Sequence, residues 1–404
     1  MSGANLKGRV RAIQYGAGPR LNRVIETIRW RPMRRRARTA ASPWAGVPVS
    51  DAQHRLLIAP ANFAGQGAAW AHALNSRHPN VAAETWTHTA GSGFAFPSTH
   101  TSPRDIAGLP AAWHRRVFDD VATHFTHVVM ESGRPLFGPL LGFDPLAEAR
   151  ALADRGVTVA MLWHGTDIRQ PSIDAPANPH SPFHDTSRRG HIAALQARAR
   201  RNHALAEAWE GPQLFTTPDL AAHVPHGTWV PVVVDPAPWT ALTPAACERP
   251  LRVLHLPSNP WIKGTHDLGI AVESLDPERV SWLTPGRMDA SEVPAAVERA
   301  DVVADQFRLN LYGVAAVEAM FAGRAVVALA GEPLRDAVRR ETGEELPIAA
   351  TTPAELADRL HEWSDVPAAP RELAARARDY ALRWHDGKET ARRLSQALGF
   401  APSR

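Results

Sequence analysis

One cysteine, Cys247, stands in 404 residues, so no intrachain disulfide can form and a reducing compartment is the simplest setting. Long apolar runs are also missing. Val157 to Trp163 is typical of those present and falls far below the ~18 residues of a membrane-spanning helix. The N-terminus has no apolar core of the secretory type. No Asp-x-Asp pair offers a divalent metal a diphosphate site, and no complete Gly-x-Gly-x-x-Gly fingerprint marks a bound dinucleotide. The sequence therefore implies neither a metal nor an organic cofactor. What remains, 44% hydrophobic and 21% charged residues, is the composition of a globular protein. At roughly 150 residues per domain the length implies two to three domains.

Charge is unevenly placed. Residues 1 to 38 hold eleven Lys and Arg against Glu26 alone, a net +10, whereas the rest of the chain carries −6. Val24, Ile25, Ile28 and Trp30, followed by Arg34-Arg35-Arg36, make a short amphipathic segment suited to an anionic membrane surface. A solvated arm, or a translation start placed too early, fits the same residues. No nucleic-acid-binding module accompanies the arginines, so nucleic acid is not an expected partner.

From residue 55 onward strands and helices alternate. Strands are expected at 55 to 60, 81 to 86, 126 to 130, 157 to 163, 213 to 216 and 229 to 234, with helices at 66 to 77, 111 to 124, 144 to 154 and 187 to 209. A second series has strands at 251 to 256, 280 to 284, 301 to 304, 325 to 330 and 346 to 349. Its helices are expected near 265 to 275, 291 to 300, 311 to 322, 332 to 340 and 353 to 363. Such alternation implies parallel sheets with right-handed crossovers, hence two doubly wound α/β domains facing a cleft. The expected division is an arm at 1 to 49, domains at 50 to 240 and 241 to 380, and a helical tail at 381 to 404. Two Gly-, Ser-, Thr- and Pro-rich stretches, 88 to 110 and 170 to 185, exceed simple turns and are candidate mobile loops.

Ligands of open α/β sheets bind beyond the carboxyl ends of the strands, which directs attention to four loops. Gly65-Gln66-Gly67 lies between a strand and a helix, where amides can receive a phosphate or an acceptor group, though a tight turn explains it as well. His164, Asp167 and Arg169 share one strand-end loop: an imidazole able to exchange a proton, a carboxylate, and a guanidinium able to hold phosphate. A structural turn capped by Asp167 is the alternative. In the second half Ser258 and Lys263 flank a helix start, placing an ammonium where a diphosphate would lie. Asn310 and Gly313 precede an apolar helix that contains Glu318, a carboxylate that needs a partner, either ribose hydroxyls or a nearby Arg.

These segments resemble the GT-B glycosyltransferases, specifically the retaining family 4. Pro257 to Gly264 aligns with the family's Gly-Arg-x-x-x-x-Lys-Gly, Asn310 to Glu318 with Glu-Gly-Phe-Gly and its following Glu, and Glu318 to Val327 with Glu-Ala-Met-Ala-x-Gly-x-Pro-Val-Val. Thr217-Pro218-Asp219-Leu220 and Trp229-Val230-Pro231 are similar to the segment before the family's interdomain linker. The resemblance implies a GT-B fold of two Rossmann-like domains and retaining transfer of a hexosyl unit from a nucleoside-diphosphate sugar. The acceptor would be a glycolipid, a polysaccharide or a small molecule. It implies that Lys263 binds the diphosphate, Glu318 the ribose, and that His164 lies beside the donor sugar. Ser258 replaces the usual Arg and Asn310 the first Glu, which marks a variant branch with a different donor pose. A nucleotide-sugar epimerase of the same architecture and a non-catalytic sugar-nucleotide binder are the alternatives. A cytoplasmic enzyme, peripheral on the inner membrane face through its arm, is the expected setting.

Overall fold

The structure, a computed structural model, describes residues 41–89, 96–103, 106–286 and 288–400. The basic stretch 1 to 38, and with it the expected membrane contact, lies outside them. Among the described residues no helix is long and apolar enough to cross a membrane.

Strands apolar on both faces require helices on both sides, which is the condition for parallel sheet. The first sheet holds β1 (His54–Ala59), β2 (Val81–Thr89), β3 (His100–Pro103), β4 (His127–Glu131), β5 (Thr158–Trp163), β6 (Gln213–Phe215) and β7 (Thr228–Trp229), in the order β3-β2-β1-β4-β5-β6-β7. The second holds β8 (Leu251–Leu254), β9 (Val280–Leu283), β10 (Val302–Ala304), β11 (Ala325–Ala328) and β12 (Ala349–Ala350), in the order β12-β11-β10-β8-β9. Neighbouring strands are parallel in both. The winding reverses between β1 and β4, where Ala59 pairs with Met130, and between β8 and β10, where Leu254 pairs with Val303. Such reversals open a crevice at the carboxyl ends of the strands. Glu131 closes β4 at the first reversal, and Asp305 follows β10 at the second.

Helices of eight residues or more are α1 (Gln66–Arg77), α2 (Ala111–His124), α3 (Pro145–Ala153), α4 (Arg189–Ala208), α5 (Val314–Phe321), α6 (Glu332–Thr342), α7 (Leu356–Asp365), α8 (Ala368–Trp384) and α9 (Lys388–Ala397). Three expectations fail locally. Of 229 to 234 only Trp229 lies in the sheet, and Val230 to Val234 continue as a buried linker. The strand expected at 346 to 349 is confined to Ala349–Ala350. The stretch 170 to 185 contains the short helix Pro171–Ala177 and packs against the second domain instead of standing free. Ser42 and Trp44, which the charge pattern leaves in the arm, are buried, with the Trp44 ring edge-on to Trp86 at 5.3 Å and to Phe125 at 5.6 Å.

The chain crosses between the domains twice. At the first crossing the Gln66 side chain brackets Val233, accepting from its N–H at 2.7 Å and donating to its carbonyl at 3.0 Å, while Trp70 Nε1 donates to Pro231 O at 3.0 Å. At the second, α8 packs on α5 and β11, then His385 donates from Nδ1 to Val232 O at 2.8 Å. Its Nε2 lies 3.3 Å from the hydroxyl of Tyr312, which is 3.1 Å from that of Tyr380. Helix α9 then returns to the first domain, where Ala391, Leu394 and Leu398 join Trp70 and Leu74 in one core. Gly387 turns the chain with φ of +91°, and a Cβ there would lie 2.9 Å from that of Ala73.

Both the positive φ and the Ala73 contact act on Gly387, whereas Gly343, at φ of +73°, has open space around it. Gly387→Ala is expected to lose about 1–3 kcal/mol, and Gly343→Ala, with strain alone, distinctly less. Thermal denaturation of the two variants checks this; equal losses would show that docking of α9 on α1 contributes nothing at this point.

Candidate active site

At the first reversal a carboxylate is sealed from water. Glu131 is fully buried, and its Oε2 accepts from the backbone N–H of Ala61 at 2.7 Å and of Asn62 at 2.9 Å, while Oε1 lies 3.0 Å from His164 Nε2. Burial alone would push its pKa up, but the His164 hydrogen bond and charge, with the two amides, hold it below the usual range. An ionised carboxylate only accepts, so Nε2 of His164 carries a proton, and no hydrogen bond among the described residues occupies Nδ1. Stacking on Trp70 at 5.9 Å and edge contact with Phe63 at 5.0 Å fix the ring plane, and the guanidinium of Arg134 lies 4.7 Å from the Phe63 ring centre.

This arrangement corrects three expectations. The amides leaving β1, those of Ala61 and Asn62, hold the protein's own Glu131, and the next ones close a turn, Gly65 N–H donating to Asn62 O at 3.1 Å and Gln66 N–H to Phe63 O, which is the turn reading of Gly65, Gln66 and Gly67. Asn62, Ala64 and Gly65 take left-handed backbone there, and Gln66 is occupied by Val233. A Cβ on Gly67 would lie 3.3 Å from Asn62 Oδ1, a tight contact that the Asn62 side chain would have to relieve. Asp167 is buried, and its carboxylate accepts from the backbone N–H groups of His164, Gly165 and Ile168, at 2.6 Å for Gly165. It orients the loop that carries His164 and is not placed to react. Arg169 is buried in an ion pair with Asp219 and does not offer its guanidinium to a ligand.

The second crevice is built from β8, β10 and α5. His255, at the end of β8, donates from Nδ1 to Ala304 O and receives the Thr265 hydroxyl at Nε2, both at 2.8 Å; burial lowers its pKa and keeps it neutral. Asn259 caps the short helix Pro260–Lys263 by accepting from Trp261 N–H at 3.2 Å, and this aims Lys263 at Asp305, with which it forms an ion pair. Oδ2 of Asp305 is buried and unpartnered. The half-buried Glu318 finds no hydrogen-bond donor among the described residues, and its pKa is pushed up to about 7 by burial and by the charge of Asp305, with Lys263 opposing. Ser258 is exposed on the turn before the helix. The Asn310 Oδ1 accepts from Gly331 N–H at 2.7 Å and ties the loop after β10 to the start of α6. Gly313 caps α5 in extended backbone.

Lys263, Glu318 and Asp305 thus converge, and His164 meets Glu131 on the other sheet. Sequence reasoning missed Glu131 and Asp305. The signal available for each was an acidic residue ending an apolar strand beside a winding reversal. The two crevices are joined by the segment after β5: Asn178 donates to Arg308 O at 2.8 Å, and Phe183, Ile192 and Leu195 pack with Trp261, Ile262 and Leu309. Beside this bridge lies a cavity of about 420 Å³ lined by Pro171, Phe183, Asp185, Arg189, Ile192 and Gln196, among others.

No family model and no curated protein sequence matches the chain. Solved structures do. HepE of Anabaena, crystallised with UDP and glucose, superposes with a TM-score of 0.56 at 13% identity over 86% of this chain and 100% of its own. Sucrose-phosphate synthase of Thermosynechococcus elongatus gives 0.56 at 14% over 85% and 98%, and a glycosyltransferase of Rickettsia africae 0.54 at 9% over 87% and 100%. The architecture is the GT-B fold: two Rossmann-like domains facing an interdomain cleft.

Glu131→Gln keeps one acceptor for the two amides but presents an N–H to His164, which must then carry its own proton on Nδ1. The imidazole nitrogen chemical shifts of His164 are expected to show this reversed tautomer. Shifts unchanged from the parent would mean that Glu131 does not set the ring's proton.

Proposed function

We propose that the protein is a glycosyltransferase that moves a hexosyl unit from a nucleoside-diphosphate sugar to an acceptor with retention at the anomeric carbon. The observation carrying this reading is the convergence of Lys263, Asp305 and Glu318 at one strand-end crevice of a GT-B fold, opposite the paired His164. UDP is the first nucleotide to test, because the HepE crystals contain it. Retention follows from the family 4 resemblance of the donor segment.

The division of labour follows from which groups are already occupied. The amides after β1 and β5 and the guanidinium of Arg169 are engaged by Glu131, Asp167 and Asp219, which favours the second domain for the diphosphate, where Lys263 neutralises the charge that grows as the sugar departs. Glu318 lies on the same crevice and accepts from ribose hydroxyls. His164, its Nε2 held by Glu131, presents Nδ1 to the donor sugar. The acceptor approaches along the first domain, and the 420 Å³ cavity beside the bridge is large enough for a sugar ring or a short apolar group.

A thermal-shift panel of nucleoside diphosphates and their sugars, followed by labelled donor with and without lipid extract, tests the reading. Binding at ~100 times the dissociation constant adds about 2.7 kcal/mol of stability. Acceptor-dependent transfer is expected; epimer formation, or binding without turnover, would replace it by the alternatives. Lys263→Ala and Glu318→Ala are each expected to weaken UDP binding about 10- to 100-fold, the loss of a charge-assisted hydrogen bond. If both bind UDP as the parent does, the pocket is wrongly assigned.

His164→Ala is expected to lower turnover about a hundredfold with donor affinity nearly unchanged, the signature of an interaction made mainly in the transition state. Steady-state rates at saturating donor, with direct measurement of donor binding, separate the two effects, and a loss confined to affinity would assign His164 to ground-state binding instead.

A further inference from the structure

The donor crevice contains more acid than an anion site requires. Lys263 is its one ammonium, and Asp305 already holds it. Next to that pair stands Glu318, whose carboxyl has no hydrogen-bond donor among the described residues, and the second oxygen of Asp305 is buried without a partner. Buried polar groups in folded proteins are almost always satisfied, so the unpartnered Oδ2 of Asp305, in one crevice with the half-buried Glu318, points to something that arrives. A nucleoside diphosphate brings at least two negative charges to Lys263 and makes the crevice strongly anionic unless a proton comes with it.

We propose that Asp305 and Glu318 form a carboxyl pair that takes up a proton from solvent when a nucleoside diphosphate engages Lys263, so that donor binding is proton-coupled. The inference rests on the donor pocket proposed above. The proton is given up by the buffer acid and taken by the carboxyl of Glu318, whose carbonyl oxygen still accepts. Asp305 is thereby a positioning residue: it aims the ammonium in the empty crevice and tolerates losing it, because the neutralised pair no longer needs the countercharge.

Other charges near the pair are accounted for. His255 is neutral, with both ring nitrogens hydrogen-bonded. Arg308 is paired with Asp267. From α8, Arg378 donates to Thr240 O and the Tyr380 hydroxyl meets that of Tyr312, while β11 and the short helix Ala237–Thr240 carry no titratable side chain. Among the described residues Lys263 and Asp305 are the charges that act on Glu318, whose pKa, already raised to about 7 by burial and then by Asp305, rises further when the diphosphate draws the ammonium away. The sign follows. Well below that value the crevice already holds its proton and UDP binds without exchange. Above it a proton must be bound, and affinity falls as pH rises.

The experiment is calorimetric titration of the full chain with UDP in buffers of different ionisation enthalpy. The expected result is uptake of about one proton per UDP near pH 8, decreasing toward zero near pH 5.5, with affinity weakening up to about tenfold per pH unit above neutrality. Glu318→Gln should abolish the uptake. Asp305→Asn should flatten the pH dependence, whereas a purely structural role for Asp305 would weaken binding equally at every pH. UDP binding with no proton exchange near pH 8, or binding that requires magnesium and exchanges no proton, overturns the proposal while leaving the donor pocket standing. Absence of UDP binding at every pH overturns both.

Discussion

A carboxylate shut away from water must find every hydrogen bond within the protein, and Glu131 does so at the point where the first sheet reverses its winding. Its partners come from two separate loops, the amides after β1 and the imidazole after β5, and both are held to the end of β4. Meeting this one requirement fixes those loops against one another. It also decides what the first domain can do. The turn amides, which in many nucleotide-binding sheets hold a phosphate, are engaged internally, and what is left facing the cleft is an oriented imidazole beside aromatic rings.

The two crevices are therefore complementary. In the first, most charges are matched within the protein: Glu131 with amides and His164, Asp167 with three backbone N–H groups, and Arg169 with Asp219, whose other oxygen is unpartnered. In the second, Lys263 and Asp305 are matched to each other, while Glu318 and one oxygen of Asp305 are left over. In the second crevice the unpartnered oxygen of Asp305 lies where a substrate is expected to complete it. The bridge of Asn178, Phe183 and Ile192 against Trp261 and Arg308 brings the completed and the incomplete crevice together.

Much of this architecture is legible in the sequence because its strands are apolar on both faces, as in Leu56 to Ala59 and Ala325 to Ala328, and its long helices lie between turn signals. The donor segment is legible because Lys263 and Glu318 keep the spacing of a known motif. What stays hidden is pairing over distance. Ala61 and Asn62 lie about seventy residues from Glu131, and nothing in the local pattern joins them. Apolarity also misleads at Val230 to Val234, which reads as strand although it is buried by the domain junction instead of by a sheet. In 170 to 185 the prolines and polar residues conceal Phe183, a packing residue of the bridge.

The return of α9 to the first domain has a consequence for how the molecule is made. Ala391, Leu394, Leu398 and Phe400 complete the core that Trp70 and Leu74 begin, yet they are synthesised after the whole second domain. Domains usually finish folding in the order in which they leave the ribosome. Here the first domain holds an uncovered apolar face on α1 while the whole second domain is translated, and it closes only when α9 has emerged, so that of these two domains the one begun first is the one finished last.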